Sequence, residues 1–278
     1  MAARMLDTGT DELLCAIDSR IATITLNRPE KRNALGDTLT PALREALLRV
    51  EADPDVRAVI VTGAGTAFCA GGDVTGLGRP FNEGTAQAPR RSADDAIRGL
   101  QHKQDTLTLR LYHLAKPTIA ALPGPAAGAG MSIALACDIR LASEGAFLAP
   151  GFVNIGLSGD YGGSWFLTRL VGPGRAKEIY FTGRRIHGAE ALQLGIFNEV
   201  VPDAELAGRA RELAGAIAAG PPVALRYMKE NFNRAAVADL KTCLDMEADR
   251  TIRSARTEDH LEGVAAFMAK RKPEFTGR

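Results

Sequence analysis

The sequence predicts an α/β fold, with a mixed body over residues 1–200 and a helical region over 201–278. Three observations predict it. Short apolar stretches of strand character recur through the first 200 residues. Two of them, 56–62 and 117–122, run directly into glycine-rich turns. Near residue 200 the pattern changes to a helical period, which persists from 203 to 270 with one break at Pro221-Pro222. At 278 residues the chain has room for one large domain, or a main domain with a smaller appendage.

Taken in order, the alternating stretches 12–17 and 21–26 flank Asp18, Ser19 and Arg20 and predict an antiparallel hairpin. Residues 27–33 form a loop. Asp37 or Thr38 then caps a helix whose apolar positions include Leu39, Leu43, Leu47 and Val50. The run 56–62 is a buried strand entering the turn 63–73. Residues 76–92, with Gly, Pro, Asn and Gln and no period, predict a loop. Residues 93–114 predict one long helix, with Ile97, Leu100, Leu107, Leu111 and Leu114 on one side. A strand follows at 117–122, then the small residues 123–130, an apolar helix at 131–137, a strand at 139–142 and a turn-rich segment at 155–163. Helical units at 165–170, 174–181 and 189–194 and a strand at 199–201 lead into the C-terminal helices.

Composition excludes several classes. The chain is 46% hydrophobic and 24% charged, as a soluble globular protein is. No apolar run approaches the ~18 residues that span a bilayer. The first twelve residues have neither a signal-peptide core nor the acid-poor character of a transit peptide. A net charge of +1 gives no general attraction to nucleic acid or anionic lipid. Cys15, Cys69, Cys137 and Cys243 lie far apart with no ligand spacing, as buried thiols of a reducing, cytoplasmic compartment do. The four histidines are scattered, so neither a metal site nor a Ser-His-Asp triad is expected.

The chemistry is expected at the two glycine-rich turns. Each follows a strand, and the second opens a helix, so backbone N–H groups stand free at the positive end of a dipole. Such a group binds a phosphate or holds a carbonyl oxygen that gains negative charge. Two turns side by side supply two donors to one oxygen, which is what an oxyanion hole requires. The alternative is that these are ordinary tight turns, with glycine present for its φ.

Several motifs in order resemble the crotonase (enoyl-CoA hydratase/isomerase) superfamily. They are Asn27-Arg-Pro-Glu-Lys-Arg-Asn-Ala-Leu35, Phe68-Cys-Ala-Gly-Gly-Asp73, Lys116-Pro-Thr-Ile-Ala-Ala121 with Gly128-Ala-Gly130, Phe181-Thr-Gly183 with Ala191-Leu-Gln-Leu-Gly195, and the segment 262–271. The resemblance covers nearly the whole chain. It implies a crotonase-like spiral of ββα units with a C-terminal helical trimerisation region, assembled as a homotrimer or a dimer of trimers. It also implies a coenzyme A thioester as substrate, with no separate cofactor. By motif position the amides of Gly72 and Ala129 hold the thioester oxygen. Arg28, Lys31 and Arg32 face the phosphates, with Ala70, Gly71 and Asp73 also at the CoA site. Phe267 and Lys270, one helical turn apart, close over the adenine, often from a neighbouring subunit; the alternative is Phe267 as core and Lys270 as surface.

The sequence departs from the hydratases at both catalytic carboxylates. Ser132 and Phe152 stand where glutamates belong, and a serine hydroxyl is a poor base near neutral pH. One acid remains. Asp160, in Gly156-Leu-Ser-Gly-Asp-Tyr-Gly-Gly163, matches an aspartate used by dienoyl-CoA isomerases, ring-modifying isomerases and a dehalogenase of this superfamily. It has two readings, a catalytic acid whose pKa is raised by apolar neighbours such as Trp165 and Phe166, or a cap for the helix that follows. Asp138, in a family-typical Cys-Asp pair, reads as structural. The expected function is double-bond isomerisation of an enoyl-CoA through a thioester enolate, with Asp160 as proton shuttle. Hydration or thioester hydrolysis, and a catalytically silent CoA-binding protein, are the alternatives. Residues 76–92 with Phe152, Trp165 and Phe166 are expected to shape the acyl pocket.

Overall fold

Alternation along the strands sorts the apolar residues onto two faces of one sheet, and helices cover both. The computed structural model describes residues 3–73 and 92–278, and the statements below concern those residues. The main sheet contains β1 (Arg4–Met5), β2 (Leu13–Asp18), β3 (Ile21–Leu26), β4 (Ala58–Gly63), β5 (Thr118–Leu122), β7 (Ile139–Ser143) and β10 (Glu199–Val201), paired in the order β1-β2-β3-β4-β5-β7-β10. The β2–β3 hairpin is antiparallel with Cys15 opposite Ile24, and it turns at Ser19 and Arg20, both at positive φ (51° and 67°). From β3 to β10 every pairing is parallel, with Thr62 opposite Ala121. A second sheet holds β6 (Ala126–Ala127), β8 (Phe147–Ala149) and β9 (Ile186–His187).

One face carries Val59, Val61, Ala120 and Leu122 into a core with Leu39, Leu43, Leu47 and Val50 of α1 (Leu39–Ala52). That core continues into α4 (Ala129–Ala136), every residue of which is buried, and α5 (Gly163–Thr182). The opposite face carries Ala58, Ile60, Ile119 and Ala121 against Ala210, Ala214 and Ala218 of α7 (Leu206–Ala218). Small residues on α7 let the helix lie close to the sheet. So α7, although it lies beyond residue 200, packs into the body.

Three local expectations are modified. The helix expected over 93–114 is α2 (Ala93–Gln104), a π-helical stretch Asp105–Leu109 and α3 (Arg110–His113). The extra residue of a π turn rotates the stripe upstream of it by about 100°. Leu107, Leu111 and Leu114 are buried accordingly, whereas Ile97 and Leu100 are exposed. The units expected at 165–170 and 174–181 are one element, α5, kinked where Gly172 leaves helical geometry (φ 80°, ψ 162°) before Pro173. The C-terminal helices have three breaks rather than one, because α8 (Pro222–Ala235), α9 (Leu240–Ser254) and α10 (Glu258–Met268) each start anew, α8 at the Pro221-Pro222 pair. Asp239 and Thr257 accept the Thr242 and His260 amides to start the last two. The segment 76–92 lies outside the described residues except for Ser92, whose hydroxyl accepts the Asp95 amide (3.1 Å) and caps α2.

Cys15, Cys69 and Cys137 are buried, Cys243 is half-buried, and all four thiols are free. No helix among the described residues is long and apolar enough to cross a membrane. The helices α8 to α10 leave Phe232, Leu240, Leu244, Ile252, Leu261, Val264, Phe267 and Met268 exposed, and α9 has no fully buried residue.

Candidate active site

The first turn is held by the loop before α1. Buried Asn33 donates its side-chain amide to the carbonyls of Ala64 (2.9 Å) and Ala67 (2.8 Å), while its Oδ1 accepts the Arg28 amide (2.9 Å). The Leu35 amide then donates to the Gly71 carbonyl (2.7 Å) and the Asp73 amide to the Leu35 carbonyl (2.9 Å). This bridge straddles Gly72 and leaves its amide unused: among the described residues the exposed Gly72 N–H has no acceptor.

The second turn packs directly on the first. The Phe68 amide donates to the Pro125 carbonyl (3.0 Å) and the Ala127 amide to the Cys69 carbonyl (2.9 Å). Gly71 sits at φ 94°, and a Cβ there would lie 2.9 Å from the Ala127 oxygen and 3.5 Å from the Ala129 nitrogen. Only glycine permits that approach. Ala129 opens α4 after Gly128, and no acceptor among the described residues engages its amide. Two adjacent turns thus each present one unused N–H.

Asp160 belongs to a third turn, which reaches the first turn of α4. Ser132 Oγ, fully buried, donates to the Asp160 carbonyl (3.1 Å), and Gln104 Oε1 accepts the Tyr161 amide (2.8 Å), fixing Tyr161 at φ 52°. The peptide group that follows the Asp160 side chain is therefore tied at both ends, its carbonyl to α4 and its N–H to α2. The side chain itself is not: Oδ1 is buried and has no partner. Desolvation pushes the carboxyl up to about 6 from an ordinary 3.8. The cap reading fails on geometry, because the N-cap of α5 is Gly162 and no side chain caps that end.

Aromatic rings join these parts. Phe152 lies against the second turn, where a Cβ on Gly128 would meet its ring at 3.7 Å, and against Gly159 beside the aspartate (3.6 Å). It stacks on Tyr180 of α5 at 6.3 Å and 18°. The Tyr180 hydroxyl is buried without a partner, and desolvation with the nearby Asp160 charge pushes its pKa above the usual value. A Cβ on Gly163 would stand 2.3 Å from this hydroxyl oxygen and 2.5 Å from Ser132 Oγ, so glycine is required for the packing. Tyr161, the neighbouring phenol, is pushed up to about 12, mainly by burial and then by Asp160. Each unsatisfied buried polar atom costs about 1–3 kcal/mol, and clusters of them mark places where something other than stability is served. Sequence reasoning missed Tyr180 and Gln104. A tyrosine at that point of a helix reads as core, and a glutamine near a helix end reads as surface.

Trp165 does not join this group. It packs edge-on against Tyr112 (5.3 Å) and Phe166 (5.0 Å), with Arg169 over its face (3.6 Å). It lines a 490 Å³ cavity with Tyr112, Asp138, Lys229 and Phe232, at the far end of α4. The rings placed about the Asp160 turn are therefore Tyr180, Tyr161 and Phe152, with Phe166 against Gly162 (3.1 Å from its Cβ position), whereas Trp165 faces the cavity at the far end of α4.

The basic loop also differs from expectation. Arg28 is 8% exposed, donates to the Ala34 carbonyl (2.8 Å) and pairs with Asp73 (3.3 Å) and Glu12 (3.4 Å). It is an internal strut, because the loop folds back over it. Lys31 is exposed and pairs with Asp73 (3.2 Å). Arg32 is exposed at φ 50°, and its carbonyl accepts the amide of exposed Ala70 (2.9 Å). Phe267 stands on α10, 83% exposed, beside a pocket shared with Pro221, Val264 and Phe275, and exposed Lys270 follows the helix at φ 53°.

Comparison with known proteins agrees with this architecture. The profile of the enoyl-CoA hydratase/isomerase family matches residues 16–278. The chain is 37% identical over 266 residues to a 1,2-epoxyphenylacetyl-CoA isomerase of Escherichia coli (strain K12), covering 96% of this chain and 98% of that protein. It is 36% identical over 265 residues to a short-chain-enoyl-CoA hydratase of Clostridium acetobutylicum, covering 92% and 94%. Among solved structures, an enoyl-CoA hydratase from Bacillus anthracis matches with a TM-score of 0.87 at 34% identity, over 96% of this chain and 100% of that one. With its two packed glycine turns, mixed sheet and C-terminal helices, the chain belongs to the enoyl-CoA hydratase/isomerase family of acyl-CoA enzymes and has the crotonase fold.

Proposed function

We propose that the protein moves a carbon–carbon double bond in an enoyl-CoA thioester, with Asp160 carrying the proton. The observation that supports this most is the Asp160 carboxyl: buried at Oδ1, unpartnered, and poised at about 6. At neutral pH it is mostly ionised, so it takes a proton from the carbon next to the thioester or its vinylogous position. The electron pair left behind moves onto the thioester oxygen, where the Gly72 and Ala129 amides receive it; a donor of this kind is worth roughly 3 kcal/mol. The same carboxyl then returns the proton at the other end of the three-carbon unit, and the double bond has moved with no atom gained or lost. One carboxyl suffices for such a shuttle. Hydration needs a second group to activate water, and Ser132 and Phe152 supply neither a base nor an acid.

Lys31 and Arg32 remain as the exposed cations for the CoA phosphates, Arg28 being occupied inside the loop. Phe267 and Lys270 close over the adenine from a neighbouring subunit of a homotrimer or dimer of trimers. The exposed apolar side chains of α8 to α10 support such an assembly. Coenzyme A enters as part of the substrate.

The test is spectroscopic. Incubated with a 3-enoyl-CoA, the protein is expected to generate the absorbance of the conjugated 2-enoyl thioester. With a 2-enoyl-CoA it is expected not to bleach that absorbance, as a hydratase would. Asp160→Asn is expected to lower the isomerisation rate by roughly a thousandfold or more, with folding intact. An Asp160→Asn protein as active as the parent would end the proposal.

A further inference from the structure

Two buried polar atoms without partners lie at one place in this molecule, and they are chemically complementary. One is Asp160 Oδ1, an acceptor when ionised; the other is the Tyr180 hydroxyl, a donor. They come from different elements: Asp160 from the turn before α5, Tyr180 from near its C-terminal end, beyond the kink at Gly172. The Tyr180 ring edge lies 3.2 Å from the Cβ position of Gly159, next to Asp160 in the chain. Its hydroxyl lies 2.3 Å from the Cβ position of Gly163, a point only 2.5 Å from the Ser132 oxygen that holds the Asp160 carbonyl.

We infer that Tyr180 is a positioning residue for Asp160, its hydroxyl donating to the ionised carboxylate through one bridging water, and so holding the base in one orientation. The inference rests on Asp160 as proton shuttle. It goes beyond that reading by assigning what steers a carboxylate whose following peptide group is tied down but whose side chain is not. The other groups facing Asp160 do not supply this. Ser132 of α4 spends its proton on a carbonyl, and Gln104 of α2 acts as an acceptor for the Tyr161 amide. Tyr161 shares its own surroundings with Asp160, Cys69 and Arg44, and burial is the sole cause that raises the Asp160 carboxyl. The Tyr180 ring that carries the hydroxyl is stacked on Phe152 (6.3 Å, 18°).

The experiment uses the full chain carrying Tyr180→Phe, which keeps the ring and its stack. A lost donor to the carboxylate raises the Asp160 pKa, so the acid limb of kcat/KM for a 3-enoyl-CoA is expected to move up by about one pH unit. The kcat is expected to fall about tenfold while KM stays within about twofold, and the melting temperature stays that of the parent. The ¹³C carboxyl resonance of Asp160, read in protein with labelled aspartate, is expected to show the same upward shift of its midpoint. An unmoved acid limb together with an unmoved carboxyl midpoint overturns the inference. Should Tyr180→Phe fail to fold, labelled tyrosine in the unaltered protein decides: a Tyr180 Cζ resonance that moves at the Asp160 midpoint supports it, and one that does not respond overturns it. The two levels separate cleanly. Activity surviving in Asp160→Asn removes the shuttle, whereas activity lost in Asp160→Asn with an unmoved profile in Tyr180→Phe removes only the positioning role.

Discussion

Two aspartates lie at opposite ends of the same eight-residue helix, and their surroundings are opposite too. Asp138, just past the C-terminal end of α4, accepts from the Thr118 amide (2.7 Å) and hydroxyl (2.9 Å) and pairs with Lys229 of α8 (2.8 Å). Those bonds tie β5, the end of α4 and α8 together. Asp160, beside the first turn of α4, has its following peptide group fixed at both ends and, among the described residues, a side chain with a buried, unpartnered oxygen. The contrast teaches how to sort acids in a fold of this kind. A carboxylate bonded from several elements at once is part of the framework, and one kept dry without a protein partner is available for chemistry.

Substitution can break this contrast in either direction. Asp160→Asn, already expected to remove the reaction, leaves the framework standing. Asp138→Ala is expected to do the reverse. It strands Lys229, only 9% exposed, and the Thr118 donors. The loss is about 3 kcal/mol of stability, tempered by the partial exposure of Asp138, and urea unfolding measures it. The activity per folded molecule should stay within a few-fold of the parent.

A smaller effect sharpens the comparison through pH. Folding raises the Asp160 pKa from 3.8 to about 6, so the folded protein holds this proton more tightly than the unfolded chain. The favourable contribution of the protonated group is complete below about pH 4 and is lost as pH rises through about 6. Above that range the ionised, desolvated carboxylate is a liability of about 1–2 kcal/mol after allowance for solvent contact. Asp160→Asn should therefore melt higher than the parent at pH 8 and no higher at pH 4, by calorimetry. A stabilising substitution that removes activity is the signature of a site held at the expense of stability.

Much of this arrangement was legible in the chain, and the illegible parts share a cause. Strands such as 117–122 and the turns after them announce themselves locally, through alternation and glycine. So did Asp160, standing in a turn without an obvious partner. What sequence could not convey was which residues distant in the chain meet. Arg28 reads as a surface cation until its own loop folds back over it and Asp73 pairs with it. Trp165 reads as a pocket wall two residues into α5, yet that helix turns it toward Tyr112 and the far end of α4. Ile97 and Leu100 share a stripe with Leu107 only if no π turn intervenes. Tyr180 meets Asp160 because two glycines, Gly159 and Gly163, leave room for its ring and hydroxyl, a spacing that no helical period encodes.

The most direct measurement of the central claim is the pH dependence of kcat/KM for isomerisation of a 3-enoyl-CoA between pH 4.5 and 8. If Asp160 is the base, the rate is high and level above neutrality and falls tenfold per unit as pH drops below about 6, where the carboxyl is protonated before substrate arrives. A profile that stays flat through that window would contradict the account.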